Sequence, residues 1–133
     1  MIIMTYPLKS DDIKSHSPCI VISQPMYFPW VGFLEQVALC DVLVFYDDVQ
    51  YSRGSFSNRV QIKTNSGIHW MTAPLCNHKL GQKINEVEID DSAIWRAKQK
   101  KLLFQAFASA RYRTDALDIA EDVLSKSLSK LSD

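Results

Sequence analysis

Two groups of polar side chains that could take part in catalysis or ligand binding lie close together near the middle of the sequence. Asp47 and Asp48 are adjacent acids, and Arg53, Asn58 and Arg59 follow them. Paired carboxylates can act as a general base or hold Mg²⁺ that bridges to a diphosphate, and guanidinium groups beside an amide can clamp phosphate or carboxylate. The two acids are therefore candidate catalytic residues and the other three candidate substrate-binding residues. The alternative is structural, with an acid capping a turn at the end of a strand and the arginines paired with acids at the surface.

An aromatic stretch, S-Q-P-M-Y-F-P-W, is another candidate for ligand binding. Gln24 can donate and accept hydrogen bonds, and Tyr27, Phe28 and Trp30 offer flat faces on which sugars and bases stack. Gln50, just after the acid pair, supplies another amide. A helix that begins near Trp30 would point free N–H groups toward an anion. The alternative is a hydrophobic plug that closes the edge of a sheet.

Two short apolar runs must position these segments. Residues 19–22 and 42–46 are continuously apolar, as in strands of a parallel sheet, and apolar residues recur at helical spacing over about residues 30–40. Strand, helix and strand in this order predict a compact parallel βαβ unit, with the first strand central and buried on both faces. Because both candidate segments follow the carboxyl ends of these strands, we expect them to line one cleft.

Alternation of apolar and polar residues predicts an antiparallel hairpin after Gly54. Residues 60–64 and 68–73 alternate on either side of an Asn-Ser-Gly turn. Polar residues 76–82 predict a loop, and residues 84–89 a further short strand.

The remainder of the chain is predicted to be helical. Ser92 is a plausible N-cap for one helix, and Thr114 for a second whose apolar spacing continues through Leu131 to the terminus. Both helices are expected to cover the sheet. The resulting fold class is α/β: a mixed sheet with an N-terminal parallel βαβ unit, Rossmann-like or nucleotidyltransferase-like, an antiparallel hairpin and two C-terminal helices.

Composition limits which binding partners and which cellular compartment are expected for the chain. The 133 residues carry 15 Lys and Arg against 15 Asp and Glu, so no overall field steers the chain to nucleic acid or an anionic membrane. We expect a polar leader over residues 1–17 and one domain over residues 18–133. No apolar stretch approaches the ~18 residues needed for membrane insertion, and three scattered cysteines favour a reducing cytoplasm. The predicted partner is a small molecule, and an exposed aromatic patch could equally serve a homo-oligomer.

Specific motifs then relate the chain to a known family. V-I-S-Q-P-M-Y-F-P-W-V-G-F over residues 21–33, D-x-x-V-F-Y-D-D-V-Q-Y over residues 41–51 and N-R-x-x-I over residues 58–62 resemble the WbqC-like proteins. The similarity continues through W-M-T-A-P at residues 70–74 and departs at residues 109–112, where the family tends to have an A-P-Y-F-like sequence. Family members continue beyond residue 133, so the chain resembles their N-terminal part.

The resemblance implies a role in O-antigen or other surface-polysaccharide biosynthesis, with glycine or aminoacyl transfer to a nucleotide-activated sugar as the suggested reaction. No resident metal site is assigned; Mg²⁺ could accompany a diphosphate substrate. One alternative is a nucleotide-binding, nucleotidyltransferase-like enzyme, and another is a non-catalytic scaffold or a truncated fragment.

Overall fold

A computed structural model of the chain describes residues 2–5, 17–92 and 94–133. The fold class is the predicted mixed α/β arrangement. In chain order the elements are β1 (Ile2–Thr5), β2 (Ile20–Ser23), α1 (Val31–Leu39), β3 (Val42–Phe45), β4 (Arg59–Thr64), β5 (Gly67–Thr72), a 3-10 helix (Ile84–Glu86), α2 (Ile94–Ala106) and α3 (Arg113–Ser125). Among the described residues, no helix has the length and apolar character needed to cross a membrane.

The N-terminal part is a three-stranded sheet in the order β1-β3-β2. β2 and β3 pair in parallel, with Ser23 opposite Phe45, so the βαβ unit is confirmed. α1 packs on this sheet through Phe33, whose ring lies 6.5 Å from that of Phe45. The mixed character of the sheet comes from β1, which pairs with β3 in the antiparallel direction.

The prediction that residues 19–22 form the central strand is wrong. Among the described strands β3 is central and buries Leu43, whereas β2 lies at the edge, and its Ile20 and Ile22 are 55% and 66% exposed. An apolar, β-branched run indicates a strand that can be buried, but its place in the sheet depends on which other strands pair with it. Here β1 takes the far side of β3.

β1 itself comes from residues that the sequence analysis included in the polar leader. The run I-I-M-T is apolar and largely β-branched, and its backbone pairs with β3 from Ile2 opposite Phe45 to Thr5 opposite Val42. Residues 6–16 of the expected leader lie outside the described residues. The division into leader and single domain stays a prediction.

The antiparallel hairpin is confirmed, and it forms a sheet of its own. β4 and β5 pair from Arg59 opposite Thr72 to Thr64 opposite Gly67, which has a φ of 119°. The C-terminal helices cover this hairpin rather than the three-stranded sheet, because Met71 of the hairpin shares a buried core with side chains of α2 and α3. The buried members of that core are Met71, Leu103, Ala120 and Leu124.

Two further predictions of secondary structure are corrected. Residues 84–89 form no continuous strand: a 3-10 helix buries Ile84, and single bridges join Leu75 to Ile89 and Glu88 to Lys130. Ile84 and Val87 of this stretch pack against Tyr51.

The last helix ends earlier than its leucine spacing predicts. α3 stops at Ser125, and the chain then turns back so that the Leu131 N–H donates to the Val87 carbonyl at 2.9 Å. Leu131 packs on the Tyr51 core from irregular backbone, which helical spacing alone does not reveal. Thr114 lies inside α3, whose N-cap is Tyr112. The expected cap at Ser92 adjoins residue 93, which lies outside the described residues.

Candidate functional site

The two candidate segments leave the sheet side by side. The Tyr46 N–H donates to the Ser23 carbonyl at 2.8 Å, which extends the β2–β3 pairing to the point where both strands end. The aromatic loop, defined as residues 24–30, then bonds to the segment that follows β3, called the second segment and defined as residues 47–59, through the Tyr27 N–H and the Phe56 carbonyl at 2.9 Å. The parallel βαβ unit therefore brings the two segments together at the carboxyl edge of the sheet.

The two adjacent acids occupy different environments. The Asp47 side chain is buried, at 2% exposure, and its backbone carbonyl accepts from the Asn85 N–H at 3.0 Å. Asp48 is exposed. Asp48 is accordingly the acid of the pair that a ligand can reach from solvent. In the described ranges, no group of three or more His, Cys, Asp and Glu side chains is arranged to hold a metal ion.

A buried hydrogen-bonded chain fixes the second segment to the hairpin. The Tyr51 hydroxyl donates to Asn58 Oδ1 at 2.9 Å, and Asn58 Nδ2 donates to the Ala73 carbonyl at 3.1 Å. The Ala73 N–H returns a bond to the Asn58 carbonyl at 2.8 Å. Asn58 thus anchors the segment from a buried position.

Burial and nearby charges act in opposite directions on the Tyr51 hydroxyl. Burial raises the pKa of the Tyr51 hydroxyl above its usual value, and a backbone hydrogen bond at Gly54 and the positive charges of Arg59 and Arg53 act in the opposite direction. The His78 ring stands edge-on to the Tyr51 ring, with 5.2 Å between centroids.

Arg59 organises an exposed surface that combines positive charge with aromatic faces. Its Nε donates to the Gly54 carbonyl at 3.0 Å, and its guanidinium carbon lies 4.3 Å from the centroid of the Trp70 ring. The Phe56 ring is 6.4 Å from that of Trp70, and the two are 58% and 47% exposed. We call these four residues, Gly54, Phe56, Arg59 and Trp70, the Arg59 surface.

The chemistry available at this surface is recognition of an anion attached to a ring. A guanidinium group has five N–H donors, and the bond from Nε leaves the Nη groups in a fixed orientation. Such a fork binds phosphate or carboxylate in a bidentate manner, while the exposed rings can stack on a base or a sugar. Gly54 permits the arrangement because its φ is 81° and a Cβ there would lie 3.0 Å from Arg59 Nη2.

The aromatic loop divides between core and surface. The Tyr27 hydroxyl donates to Gln99 Oε1, and Gln99 Nε2 donates to the Thr72 carbonyl at 2.8 Å, so the loop is tied to α2 and the hairpin. Burial raises the pKa of Tyr27 far above its usual value, and the Gln99 bond and the charge of Arg96 oppose this. Phe28 has a φ of 47° and packs edge-on against Tyr27 at 5.0 Å. Trp30 stays exposed.

Comparison with known proteins identifies the chain. The model of the WbqC-like protein family matches residues 24–133. The chain belongs to the WbqC-like family. A relative of this WbqC-like chain is the uncharacterised protein Rv1507c of Mycobacterium tuberculosis (strain ATCC 25618 / H37Rv), 35% identical over 94 residues, which are 70% of this chain and 41% of the relative. The chain thus spans less than half of that protein's length. No solved structure matches the chain.

The structure separates the predicted site residues of this WbqC-like chain into three environments. Exposed or half-buried positions at the strand ends and in the second segment are Gln24, Trp30, Asp48, Gln50, Arg53 and Arg59; fully buried are Asp47 and Asn58; packed against the hairpin core are Tyr27 and Phe28. Some candidates are therefore placed where a ligand could reach them, as the functional interpretation expects, and others are buried or packed in the core, as the structural alternative expects.

Three residues of this region were missed as site candidates by the sequence analysis. Trp70 stood in a noted motif, W-M-T-A-P, but nothing in the sequence pairs it with Arg59 across the hairpin. Tyr51 was noted at the strand end, yet its bond to Asn58 depends on the fold of the intervening loop. Gln99 lies in a helix rich in lysine, so only its burial distinguishes it from a solvated residue.

Proposed function

We propose that this WbqC-like chain forms the donor-recognition part of a transferase that acts on a nucleotide-activated sugar in surface-polysaccharide biosynthesis. The observation that carries the proposal is the fixed position of Arg59, bonded to the Gly54 carbonyl at 3.0 Å and stacked over Trp70 at 4.3 Å. A nucleotide sugar combines a diphosphate with flat rings, and this surface offers a guanidinium fork beside exposed aromatic faces. Arg53, near Tyr51, supplies a second cation for the diphosphate.

The arginine and aromatic pair near the start of α2 is less suited to an anion. Arg96 lies over Trp95 at 4.6 Å, but it already pairs with Asp91 at 2.7 Å and donates to the Lys126 carbonyl at 2.8 Å. At Arg59, by contrast, the described residues show one hydrogen bond, from Nε, and the Nη donors face the segment that follows β3. The Arg59 surface therefore combines the charge, the rings and the access that a nucleotide sugar needs.

Within this proposal Asp48 is the catalytic carboxylate of the acid pair. It is exposed at the carboxyl edge of the sheet, where it can accept a proton from the attacking group of an acceptor or hold Mg²⁺ against the diphosphate. General-base help of this kind contributes about 10²- to 10⁴-fold in rate. Asp47, buried beside it, supports the strand end.

Binding measurements with two matched arginine variants test the proposal. Calorimetric titration and thermal unfolding would compare nucleotide sugars, free nucleotides and amino acids, each with and without Mg²⁺. A ligand at about 100 times its dissociation constant stabilises the folded chain by about 2.7 kcal/mol. Arg59→Lys keeps the charge but loses the fork, so we expect affinity to fall about 10- to 150-fold, as for loss of a hydrogen bond to a charged group.

The control is Arg111→Lys, at an exposed arginine that also stacks on an aromatic ring, that of Tyr112 at 5.1 Å. This variant should bind as the parent chain does. Equal affinities in the Arg59 and Arg111 variants would contradict the proposed site. Binding lost equally in both would indicate nonspecific attraction to positive charge.

One observation favours a second candidate function, nucleotide binding at the start of α1. The N-cap residue Trp30 makes no side-chain capping bond, and within the described residues the Val31 and Gly32 N–H groups make no hydrogen bond, whereas the Phe33 N–H donates to the Trp30 carbonyl at 3.0 Å. A nucleotidyltransferase-like enzyme would hold a phosphate there. In the same titrations, free nucleotides would then bind as well as nucleotide sugars, and Arg59→Lys would leave their affinity unchanged. Absence of binding by any compound would favour the scaffold role.

A further inference from the structure

A large apolar cavity lies on the opposite face of the hairpin from the Arg59 surface. Successive strand residues point to opposite faces, so Val60 and Ile62 face the cavity while Arg59 faces the other way. The cavity has a volume of about 590 Å³. Its walls come from the aromatic loop, the hairpin, α2, α3 and the residues after α3.

The size and lining of this cavity match a ligand site better than a packing defect. Packed interiors hold few voids larger than a water molecule, whereas small-molecule sites have volumes of about 300–1,000 Å³ and mostly apolar walls. Met71, Leu103 and Leu124 form buried parts of the wall, and Ile119 and Val123 line it while also reaching solvent. These last two residues lie on α3 at a solvent-exposed part of the cavity rim.

The walls select for hydrocarbon rather than for a sugar or a nucleotide. Tyr27, Phe28 and Trp95 line the cavity, and the Tyr27 hydroxyl is already bonded to Gln99. The Trp95 indole N–H is likewise committed, to the Asp90 carbonyl at 3.0 Å. A hydroxyl group buried against these three rings would lack partners and cost about 1–3 kcal/mol, while a buried CH₂ group gains about 0.8 kcal/mol; the polar Ser57 and Gln61 also line the cavity.

Among the charged groups that line the cavity, Lys130 offers a cation to an acidic head group. Arg96 is committed to Asp91 and to the Lys126 carbonyl, and the Asp133 carboxylate accepts from the Lys130 N–H at 2.9 Å. The Lys130 ammonium group makes no hydrogen bond or ion pair within the described part of the chain. It is the cation at this cavity that remains available to a carboxylate or a phosphate.

We infer that the cavity binds the unbranched hydrocarbon chain of an acidic amphiphile, with the chain between the aromatic loop and the hairpin and the head group at Lys130. This adds to the proposed function a second, lipid-like ligand and does not rest on it, because no residue of the Arg59 surface lines the cavity. Carboxylate and phosphate head groups share the chemistry, so the experiment includes both.

Fluorescence of Trp95 tests the inference directly. A chain with Trp30→Phe and Trp70→Phe keeps Trp95 as its only tryptophan, and this residue lines the cavity. A fatty acid brominated at mid-chain, used below its micelle concentration, should quench Trp95 in a saturable way. Affinity should rise about fourfold for each CH₂ added from decanoate toward tetradecanoate.

Two variants that narrow the cavity, and one matched control, complete the test. Ala73→Leu extends a lining side chain into the empty volume, and Val123→Phe obstructs the exposed part of the rim; both should abolish quenching. Val31→Phe, at an exposed position of α1 that does not line the cavity, should leave quenching unchanged. If Ala73→Leu fails to fold, Val123→Phe still decides the result, because its side chain is partly exposed.

Head-group specificity supplies the final readout. Dodecanoate and dodecyl phosphate should bind more tightly than dodecyltrimethylammonium. Lys130→Gln should reduce the affinity of the two acids about tenfold without affecting that of dodecanol. Whether dodecanoate or dodecyl phosphate binds more tightly would identify the head-group source. Equal binding of acidic and cationic amphiphiles would overturn the head-group assignment. No quenching, no dependence on chain length, or quenching that persists in both narrowed variants would overturn the cavity site.

Discussion

The hydrogen bond between Tyr27 and Gln99 ties the aromatic loop to α2, and its strength can be measured by a double-mutant cycle. Tyr27→Phe removes the hydroxyl and leaves Gln99 Oε1, in a side chain that is 6% exposed, without its donor. An unsatisfied buried acceptor costs about 1–3 kcal/mol. Gln99→Leu should cost more, because it strands both the Tyr27 hydroxyl and the Thr72 carbonyl.

The double variant should lose less stability than the two single variants added together. Removing both partners leaves neither the phenol oxygen nor the amide unpaired, so we expect a coupling energy of about 1–3 kcal/mol, within the range for residues in direct contact. Urea unfolding measured by fluorescence would give each free energy of unfolding, and Tyr46→Phe, at an exposed tyrosine, should change it by less than about 0.5 kcal/mol. Additive losses, within about 0.3 kcal/mol, would refute the account of how the loop is held.

Three further predictions concern the site. Gly54→Ala and Gly81→Ala both place a side chain at positive φ, 81° and 85°, and each should cost about 1–2 kcal/mol of stability. Only at Gly54 does the new Cβ lie 3.0 Å from Arg59, so only Gly54→Ala should weaken nucleotide-sugar binding in calorimetry. Equal binding by the two variants would contradict this prediction. Because burial raises the pKa of Tyr27 above its unfolded value of 10.0, the neutral phenol's stabilisation is complete below about pH 10 and is lost above it. Urea unfolding from about pH 9 to 11 should therefore show a shallower loss in Tyr27→Phe, by up to about 1.4 kcal/mol per pH unit, and parallel curves would argue against this burial. Asp48→Asn should change the free energy of unfolding by less than about 0.5 kcal/mol yet lower turnover about 10²- to 10⁴-fold, and full activity would remove Asp48 as the base.

Local patterns in the sequence were sufficient for the βαβ unit and the hairpin. Apolar runs at residues 19–22 and 42–46 are separated by a stretch with helical spacing, and this order predicts a parallel pair of strands. The parallel pairing in turn brings Ser23 and Tyr46 to one edge of the sheet. The Asn-Ser-Gly turn likewise brings β4 and β5 together in register. The family relationship was also present in linear motifs, and the family match confirms it.

The outcome for the last thirty residues shows where such patterns lose information. Leu124 and Leu131 both suit one continuous amphipathic helix. Leu124, in α3, is buried against Met71, whereas Leu131, in irregular backbone, packs near Tyr51. Helical spacing records which residues are apolar. It does not record which of two cores each residue joins, since that depends on contacts with the 3-10 helix.

The sequence by itself therefore determined the elements whose formation depends on near neighbours, the parallel unit and the hairpin, and the order in which candidate residues follow them. Only the tertiary structure decided that Asp47 is buried while Asp48 is exposed, that Arg59 stacks on Trp70, and that Gln99 holds Tyr27. The physical reason is that burial and hydrogen-bond pairing arise between segments far apart in the chain. A residue type and its spacing specify what a side chain can do, and the packing of distant elements specifies what it meets.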